Sequence, residues 1–148
     1  MFGCEQTAHL TTFMNTLRSI IAIDRIPVNS ITGFIRVGSS EVRVGNDIPW
    51  ESISIRVPAR LTVSDKIEDG VRLHTAQLVF HACDWEGGSG RWAYRCHMAD
   101  GPSILIGTPE RPYPVTTSTE NHPDNMTDSQ LDEVAVSWTS PDEIPYII

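Results

Sequence analysis

Basic residues are scarce in this chain, and lysine is nearly absent. The 148 residues include 19 acidic and 11 basic side chains, the formal net charge is -8, and Lys66 is the only lysine. Such a surface repels phosphate backbones and anionic lipid headgroups unless its arginines gather on one face. We therefore expect neither nucleic acid nor membrane as a partner.

Long hydrophobic runs are also missing. No segment approaches the ~20 apolar residues that cross a bilayer. The first residues lack the basic and apolar regions of a signal peptide. The sequence thus predicts no signal peptide and no transmembrane segment, and the expected location is the cytoplasm or a virion.

Cysteine is sparse, and the common catalytic motifs do not occur. Cys4, Cys83 and Cys96 leave one thiol over in any pairing scheme, and none of them forms a C-x-x-C pair. The chain has no G-x-S-x-G elbow, no H-E-x-x-H helix and no Walker loop. We accordingly expect a protein that is not an enzyme and uses no cofactor.

The composition is that of an ordinary globular chain. Apolar residues make up 40% and charged residues 20% of the sequence, and a chain of this length can bury roughly 70% of the surface that its unfolded form exposes. No repeat and no linker-like break divides it. The sequence predicts a single domain over residues 1–148.

An amphipathic helix is predicted between Thr7 and Ile21. Apolar residues recur there at steps of three and four, which places them on one helical stripe; they are Leu10, Phe13, Met14, Leu17, Ile20 and Ile21. Thr7 is a suitable N-cap. The β-branched run from Ile20 to Ile26 then favours an extended segment.

Alternation with a period of two predicts a long β-hairpin in the middle of the chain. Every odd position from Ile53 to Val63 is apolar, and Pro58 places this strand at a sheet edge or at a bulge. Folding about a turn near Asp65 to Gly70 sets Leu61 opposite Ala76 and Ile55 opposite Ala82.

Shorter strands complete a predicted antiparallel meander. They are expected as a small hairpin over Ile31–Val37 and Glu41–Val44, and as strands over Arg91–Met98, Ser103–Gly107, Tyr113–Thr117 and Asp132–Thr139. A proline-studded connection runs from Thr108 to Asp128. The predicted fold class is α+β, with the N-terminal amphipathic helix packed on a mostly antiparallel meander.

Two imidazoles and a thiol, from His81, Cys83 and His97, are the candidate metal ligands, because zinc favours nitrogen and sulfur donors. The strand pleat argues against a site, since it sets Cys83 and Cys96 on opposite faces. The expected state is therefore no metal, with Cys96 buried and inert. His9, His74 and His122 are expected to be solvated.

Four side chains are candidates for contact with a partner or ligand. Trp92 and Trp138 fall in the apolar phase of their strands, which leaves Trp50 and Trp85 for contact. Arg111 and Tyr113 lie in the proline-rich connection, and long loops often carry function. The acidic residues Asp124 and Asp128 match no EF-hand spacing and are expected to be solvated.

The stretch RWAYRCHMADGPSILIGTPERPYP, followed by VAVSWTS and a short acidic tail, resembles small proteins from prophage and mobile-element regions of gut Bacteroidales. The resemblance covers the C-terminal third and rests mainly on residues 105–108 and 111–114. It implies a phage structural role, such as tail completion or head–tail joining, with long loops that contact neighbouring copies or other virion proteins.

Three functions therefore stay open at this stage. The first is a non-enzymatic structural or assembly module with protein partners. The second is a β module that binds a small ligand or carbohydrate on Trp50 or Trp85. The third is a zinc-dependent or hydrolytic enzyme that uses His81, Cys83 and His97.

Overall fold

A computed structural model of the chain describes residues 16–83, 85–87, 90–99, 101–119 and 131–148. In this part of the chain the regular structure is eleven β-strands and one short 3₁₀ turn, Val28–Ser30. The strands are β1 Thr16–Pro27, β2 Ile35–Arg36, β3 Glu41–Arg43, β4 Glu51–Ile53, β5 Ile55–Glu68, β6 Val71–Ala82, β7 Trp92–Met98, β8 Ser103–Ile106, β9 Val115–Thr119, β10 Asp132–Ser140 and β11 Tyr146–Ile147.

The predicted α+β class is wrong, because the described fold is almost entirely β. Residues 7–15 of the predicted helix lie outside the described part of the chain, and residues 16–21 belong to β1. Four isoleucines between positions 20 and 26 favour extended backbone. Neighbouring strands on both sides of β1 then satisfy its backbone groups, which no periodicity in the sequence reveals.

All eleven strands join in one sheet, and the chain order is not that of a simple meander. The strands follow the order β2-β3-β11-β8-β7-β1-β5-β6-β10-β9, and β4 pairs with β1 outside this path. The predicted meander fails at β7, which pairs with β1 and β8 instead of following β6. The strand pairs of the sheet are antiparallel, except that β11 runs parallel to β3.

The long hairpin of β5 and β6 is confirmed, with a register that differs at one end. Ile55 lies opposite Ala82 as predicted, but Leu61 pairs with Leu78 instead of Ala76. The shift arises between Arg56 and Arg60, where the ladder is interrupted around Pro58. Because the shift is of two residues, the apolar positions keep their face. Pro58 therefore lies at a bulge, which is one of the two alternatives predicted for it. The other alternative, a sheet edge, is wrong, because β5 is flanked by β1 and β6.

The sheet rolls round on itself and encloses the main core. Phe80 on β6 and Tyr94 on β7 have ring centroids 6.4 Å apart although β1 and β5 lie between them in the sheet. Three strand spacings in a flat sheet would span about 14 Å. Fully buried members of this core are Ile20, Ile23, Leu61, Ala76, Leu78, Phe80, Ala82, Tyr94, Cys96, Ile106, Val134 and Val136.

A second, smaller apolar cluster lies where the segment between β1 and β4 folds back over the sheet. Its buried members are Ile26, Val28, Ile31, Ile48 and Ala93, and Phe34, Val44, Trp50 and Tyr113 pack against them. Among the described residues, no helix has the length and hydropathy that a membrane span requires.

Candidate functional site

A buried carboxylate organises the outer face of β1 and β7. Asp24 Oδ2 accepts hydrogen bonds from Arg95 Nη2 at 2.7 Å and from Arg95 Nε at 3.0 Å, and it lies 2.7 Å from His97 Nε2. Ser52 on β4 donates to Oδ1 of the same carboxylate at 3.0 Å. His97 Nδ1 is in turn 3.0 Å from Ser103 Oγ on β8. These contacts connect β1, β4, β7 and β8 through the carboxylate of Asp24 and the ring of His97.

Asp24 stays ionised in spite of its burial. Burial by itself raises the pKa of this carboxyl, but the hydrogen bonds from His97, Arg95 and Ser52 outweigh it, and the pKa lies below its usual range. Ser103, His97 and Asp24 are residue types of a nucleophilic triad. Here Arg95 already neutralises the carboxylate that would support an imidazolium. The arrangement is therefore suited to holding strands together.

Sequence reasoning found only half of this network. The alternation of β7 places Arg95 and His97 on one face, opposite Tyr94 and Cys96, and this prediction is confirmed. Asp24 was missed as their partner. It lies just after the segment that the apolar spacing assigned to a helix, where the pairing of β1 with β7 was not foreseen.

The three candidate metal ligands are not brought together. His81 on β6 lies 3.6 Å from Glu133, whereas His97 on β7 binds Asp24, and β1 and β5 separate the two strands. Cys83 is disulfide-bonded, so its sulfur is not a thiolate ligand. Across the described ranges, no group of three or more His, Cys, Asp or Glu side chains could hold a metal ion.

Two of the smaller predictions on cysteine and histidine have different outcomes. Cys96 is fully buried, as expected, and burial followed by the charge of Asp24 raises the pKa of its thiol. His74 is not solvated, because it is 8% exposed and its Nδ1 lies 2.7 Å from Asp65 Oδ1. His9, His122, Asp124 and Asp128 lie outside the described residues.

The two tryptophans proposed as contact platforms are half-buried and stacked against arginines. Arg95 lies over the Trp50 ring, with 4.6 Å from its Cζ atom to the ring centroid. Arg25 lies between Trp85 and Trp92, with 4.8 Å and 4.2 Å to the two centroids. These cation–π contacts orient the rings, and a ligand that stacks on either ring must share it with a guanidinium.

The other two contact candidates, Arg111 and Tyr113, meet in one groove. Its walls are Arg91, Arg111, Pro112, Tyr113, Pro114 and Val115, and we call it the arginine groove. Arg91 Cζ lies 4.8 Å from the centroid of the Tyr113 ring. No carboxylate of the described residues forms an ion pair with Arg91 or Arg111. The groove thus has two positive charges that lack a described counter-ion, in a chain that is acidic overall.

Buried anchors hold the arginine groove in place. The indole Nε1 of Trp138, itself 2% exposed, donates to the carbonyl of Pro112 at 2.9 Å. Pro114 lies so close to Gly107 that a Cβ atom added there would be 2.7 Å from Pro114 Cγ. The groove continues into β9, which pairs on one side with β10 and on the other with no described strand.

A second exposed feature is the tip of the β5–β6 hairpin, which we call the hairpin arm and define as residues 65–73. The described pairing of β1 with β5 ends at Val63, and the pairing of β10 with β6 ends at His74. The arm closes with a tight turn in which Asp69 and Gly70 have φ of 52° and 78°, the combination typical of a type I′ hairpin.

The hairpin arm exposes apolar side chains on both faces. Ile67 is 70% exposed and Val71 is 49% exposed. Ile67 pairs with Arg72 and Glu68 pairs with Val71, and directly opposed residues share a face of the ladder. The two apolar residues therefore project on opposite sides of the arm.

Comparisons with known proteins found no match to this chain. No protein-family model matches the chain, no curated protein matches its sequence, and no solved structure matches its fold.

Proposed function

We propose that this protein is a non-enzymatic assembly module whose copies associate by docking the hairpin arm of one copy into the arginine groove of another. The observation that carries the proposal is the coexistence of the two surfaces on one chain. One is a hairpin with exposed apolar side chains and carboxylates beside its turn, and the other is a cationic groove with an aromatic wall.

Apolar exposure is the first argument. Large apolar side chains that stand free on a protruding element often belong to an interaction surface. Ile67 and Val71 face opposite ways on the arm, so one flat surface would cover only one of them. The arginine groove is open and would cover one face of the arm, so docking would bury one of the two side chains.

Charge is the second argument. Glu68 and Asp69 lie beside the turn of the arm, and Asp69 forms no ion pair with a described residue. The basic residues of the arm are Lys66, which contacts Glu68 at 3.2 Å, and Arg72. Arg91 and Arg111 in the groove lack a described counter-ion. The carboxylates at the turn, and not the net charge of the arm, therefore favour docking in the groove.

Such a contact would be heterologous, because the arm and the groove are different surfaces of the chain. Repetition of a heterologous contact produces a closed ring or an open filament. A ring agrees with the tail-completion or head–tail joining role that the prophage resemblance implies. That role stays a prediction.

Light scattering across a concentration series tests the proposal. The unmodified protein is expected to give a discrete oligomer that dissociates on dilution and at high salt, since exposed charges are screened by salt. The Arg91→Glu/Arg111→Glu double variant should weaken association at least tenfold, about 1.4 kcal/mol. Arg43→Glu/Arg60→Glu is the matched control, because both arginines are exposed, lie outside the arm and the groove, and form no ion pair with a described residue.

The arm is tested by its own pair of variants. Ile67→Ser should weaken association, whereas Ile35→Ser should not, because Ile35 is similarly exposed (57%) but lies on β2. Mixing Glu68→Arg protein with the groove double variant should restore part of the association. A monomer at every concentration, with no partner recovered from a virion preparation, would overturn the assembly function. An oligomer insensitive to the arm and groove variants would overturn this docking mode.

A further inference from the structure

A cavity that is open to solvent lies near the base of the hairpin arm. Its volume is about 300 Å³, which is at the small end of the range for ligand pockets. The apolar part of its wall is Val63 on β5, Ile104 on β8 and Ile144 before β11. The polar part includes Asp65, His74 and Glu143. An apolar wall with a few polar groups is typical of a site for a small organic molecule.

The polar groups of this cavity have unused capacity to accept hydrogen bonds. His74 is 8% exposed, and its Nδ1 is committed to Asp65 Oδ1 at 2.7 Å. No hydrogen-bond partner of the other ring nitrogen, Nε2, occurs among the described residues. When Nδ1 carries the proton that Asp65 accepts, Nε2 is an acceptor.

Among the side chains that the structure describes, no lysine or arginine forms an ion pair with a carboxylate of this cavity. Asp65 is hydrogen-bonded to His74, and Glu143 has no ion pair with any described cation. Lys66, the next residue along the chain from Asp65, is directed to Glu68 instead. A ligand with a positive charge would therefore be favoured over a neutral or anionic one.

The occupant is better described as an organic cation than as a metal ion. Asp65, His74 and Glu143 line one cavity, yet no described group of such side chains converges closely enough to hold a metal. A primary ammonium has three donors, which can reach separate acceptors. The apolar wall has no role in metal binding, but it suits an alkyl chain.

We propose that this cavity binds a primary ammonium group carried on a short apolar body. The ammonium faces Asp65, Glu143 and Nε2 of His74, and the apolar body lies against Val63, Ile104 and Ile144. The cavity shares Asp65 with the base of the hairpin arm, but none of its lining residues belongs to the arginine groove.

Isothermal titration calorimetry with n-butylamine, n-pentylamine and n-hexylamine at neutral pH tests the proposal. Saturable binding is expected, and each added methylene should strengthen it by up to about fourfold while the cavity still has room. Hexan-1-ol and hexanoate, which have the same chain without the positive charge, should bind at least tenfold more weakly. Equal binding of hexan-1-ol and hexylamine would overturn the proposal.

Variants locate the binding and separate it from folding. Glu143→Gln keeps the shape of an exposed side chain that has no ion pair, so folding should be unaffected while amine binding weakens at least tenfold. Glu133→Gln is the control, because Glu133 is an exposed glutamate on β10 that does not line the cavity. Hexylamine binding that Glu143→Gln leaves unchanged, or the absence of saturable binding, would overturn the proposal. Glu143 belongs to neither the hairpin arm nor the arginine groove, so Glu143→Gln tests the cavity without altering either assembly surface.

Discussion

At the scale of single residues, the buried carboxylate of Asp24 holds neighbouring strands together. Asp24 is 7% exposed and accepts hydrogen bonds from donors on β4 and β7. A carboxylate in such a place must be paired, because an isolated buried charge is very costly. Arg95 supplies that pairing with its side chain 29% exposed, so water screens part of the interaction.

We expect Asp24→Asn to lower the free energy of unfolding by about 2 kcal/mol. Removing one partner from a buried ion pair typically costs about 3–5 kcal/mol, and we reduce that figure because Arg95 and His97 are partly exposed. Urea denaturation measures the change. Glu133→Gln is the control, because the Glu133 side chain is 58% exposed and lies 3.6 Å from His81, and it should change stability by less than about 0.5 kcal/mol.

The contribution of Asp24 should also depend on pH. The pKa of Asp24 is lower in the folded chain than its ordinary value of 3.8. A lowered pKa means that the stabilisation is fully present above pH 3.8 and is lost as the pH falls through the folded pKa. The stability difference between the unmodified protein and Asp24→Asn should therefore shrink as the pH falls below about 3.8. A difference that grows on acidification would contradict this account.

At the scale of elements, one close backbone approach positions the arginine groove. Gly107, at the end of β8, has φ of 99°, a conformation that residues with a Cβ rarely adopt. It also lies against Pro114, which precedes β9. The connection from β8 to β9 is thus fixed at both its strand ends by packing, and the groove belongs to a rigid part of the surface.

Gly107→Ala should destabilise the fold by about 2–3 kcal/mol, as expected of a side chain that meets both strain and overpacking. The added Cβ would lie 2.7 Å from Pro114 Cγ and 3.3 Å from Ala93 Cα. Thermal unfolding measures the loss. Gly38→Ala is the control, because it has no positive φ and its nearest contact would be a Glu41 side-chain oxygen at 3.5 Å. Equal losses of stability in the two variants would contradict the role given to the contact between Gly107 and Pro114.

At the scale of the whole molecule, the rolled sheet is joined across its interior by Tyr94. This side chain is fully buried, and its hydroxyl lies 2.7 Å from Thr116 Oγ1 on β9. Burial raises the pKa of Tyr94, and the hydrogen bond to Thr116 only partly opposes this effect. The hydroxyl is therefore a neutral hydrogen-bonding group that connects β7 with the far end of the sheet.

Tyr94→Phe should cost about 1 kcal/mol, the usual net value of one hydrogen bond. Amide hydrogen exchange in β9 should become faster, because this strand loses a contact with the opposite wall. Tyr113→Phe is the control, since its hydroxyl bond to the Pro109 carbonyl is long at 3.4 Å and the side chain is half-buried. A loss in Tyr113→Phe as large as that in Tyr94→Phe would contradict the proposed role of Tyr94.

Most of the individual strands can be predicted from the amino-acid pattern, because alternation depends only on neighbouring residues. The β5–β6 hairpin, the buried face of β7 and the strand at β10 could all be predicted in this way. Arg111 and Tyr113, which the sequence predicts as contact residues, line one groove, and their role in contact stays a prediction. Local pattern failed at β1, where apolar spacing suited a helix as well as a strand.

The association of the strands could not be predicted from the amino-acid pattern and is visible in the fold alone. The place of β1 between β7 and β5, the rolling of the sheet and the pairing of Asp24 with Arg95 join residues far apart in the chain. The same holds for the cavity, whose walls come from β5, β6 and β8 and from the segment before β11. Such contacts depend on backbone groups and charges finding partners in space, and a one-dimensional pattern of apolar and polar residues contains no record of which partners they find.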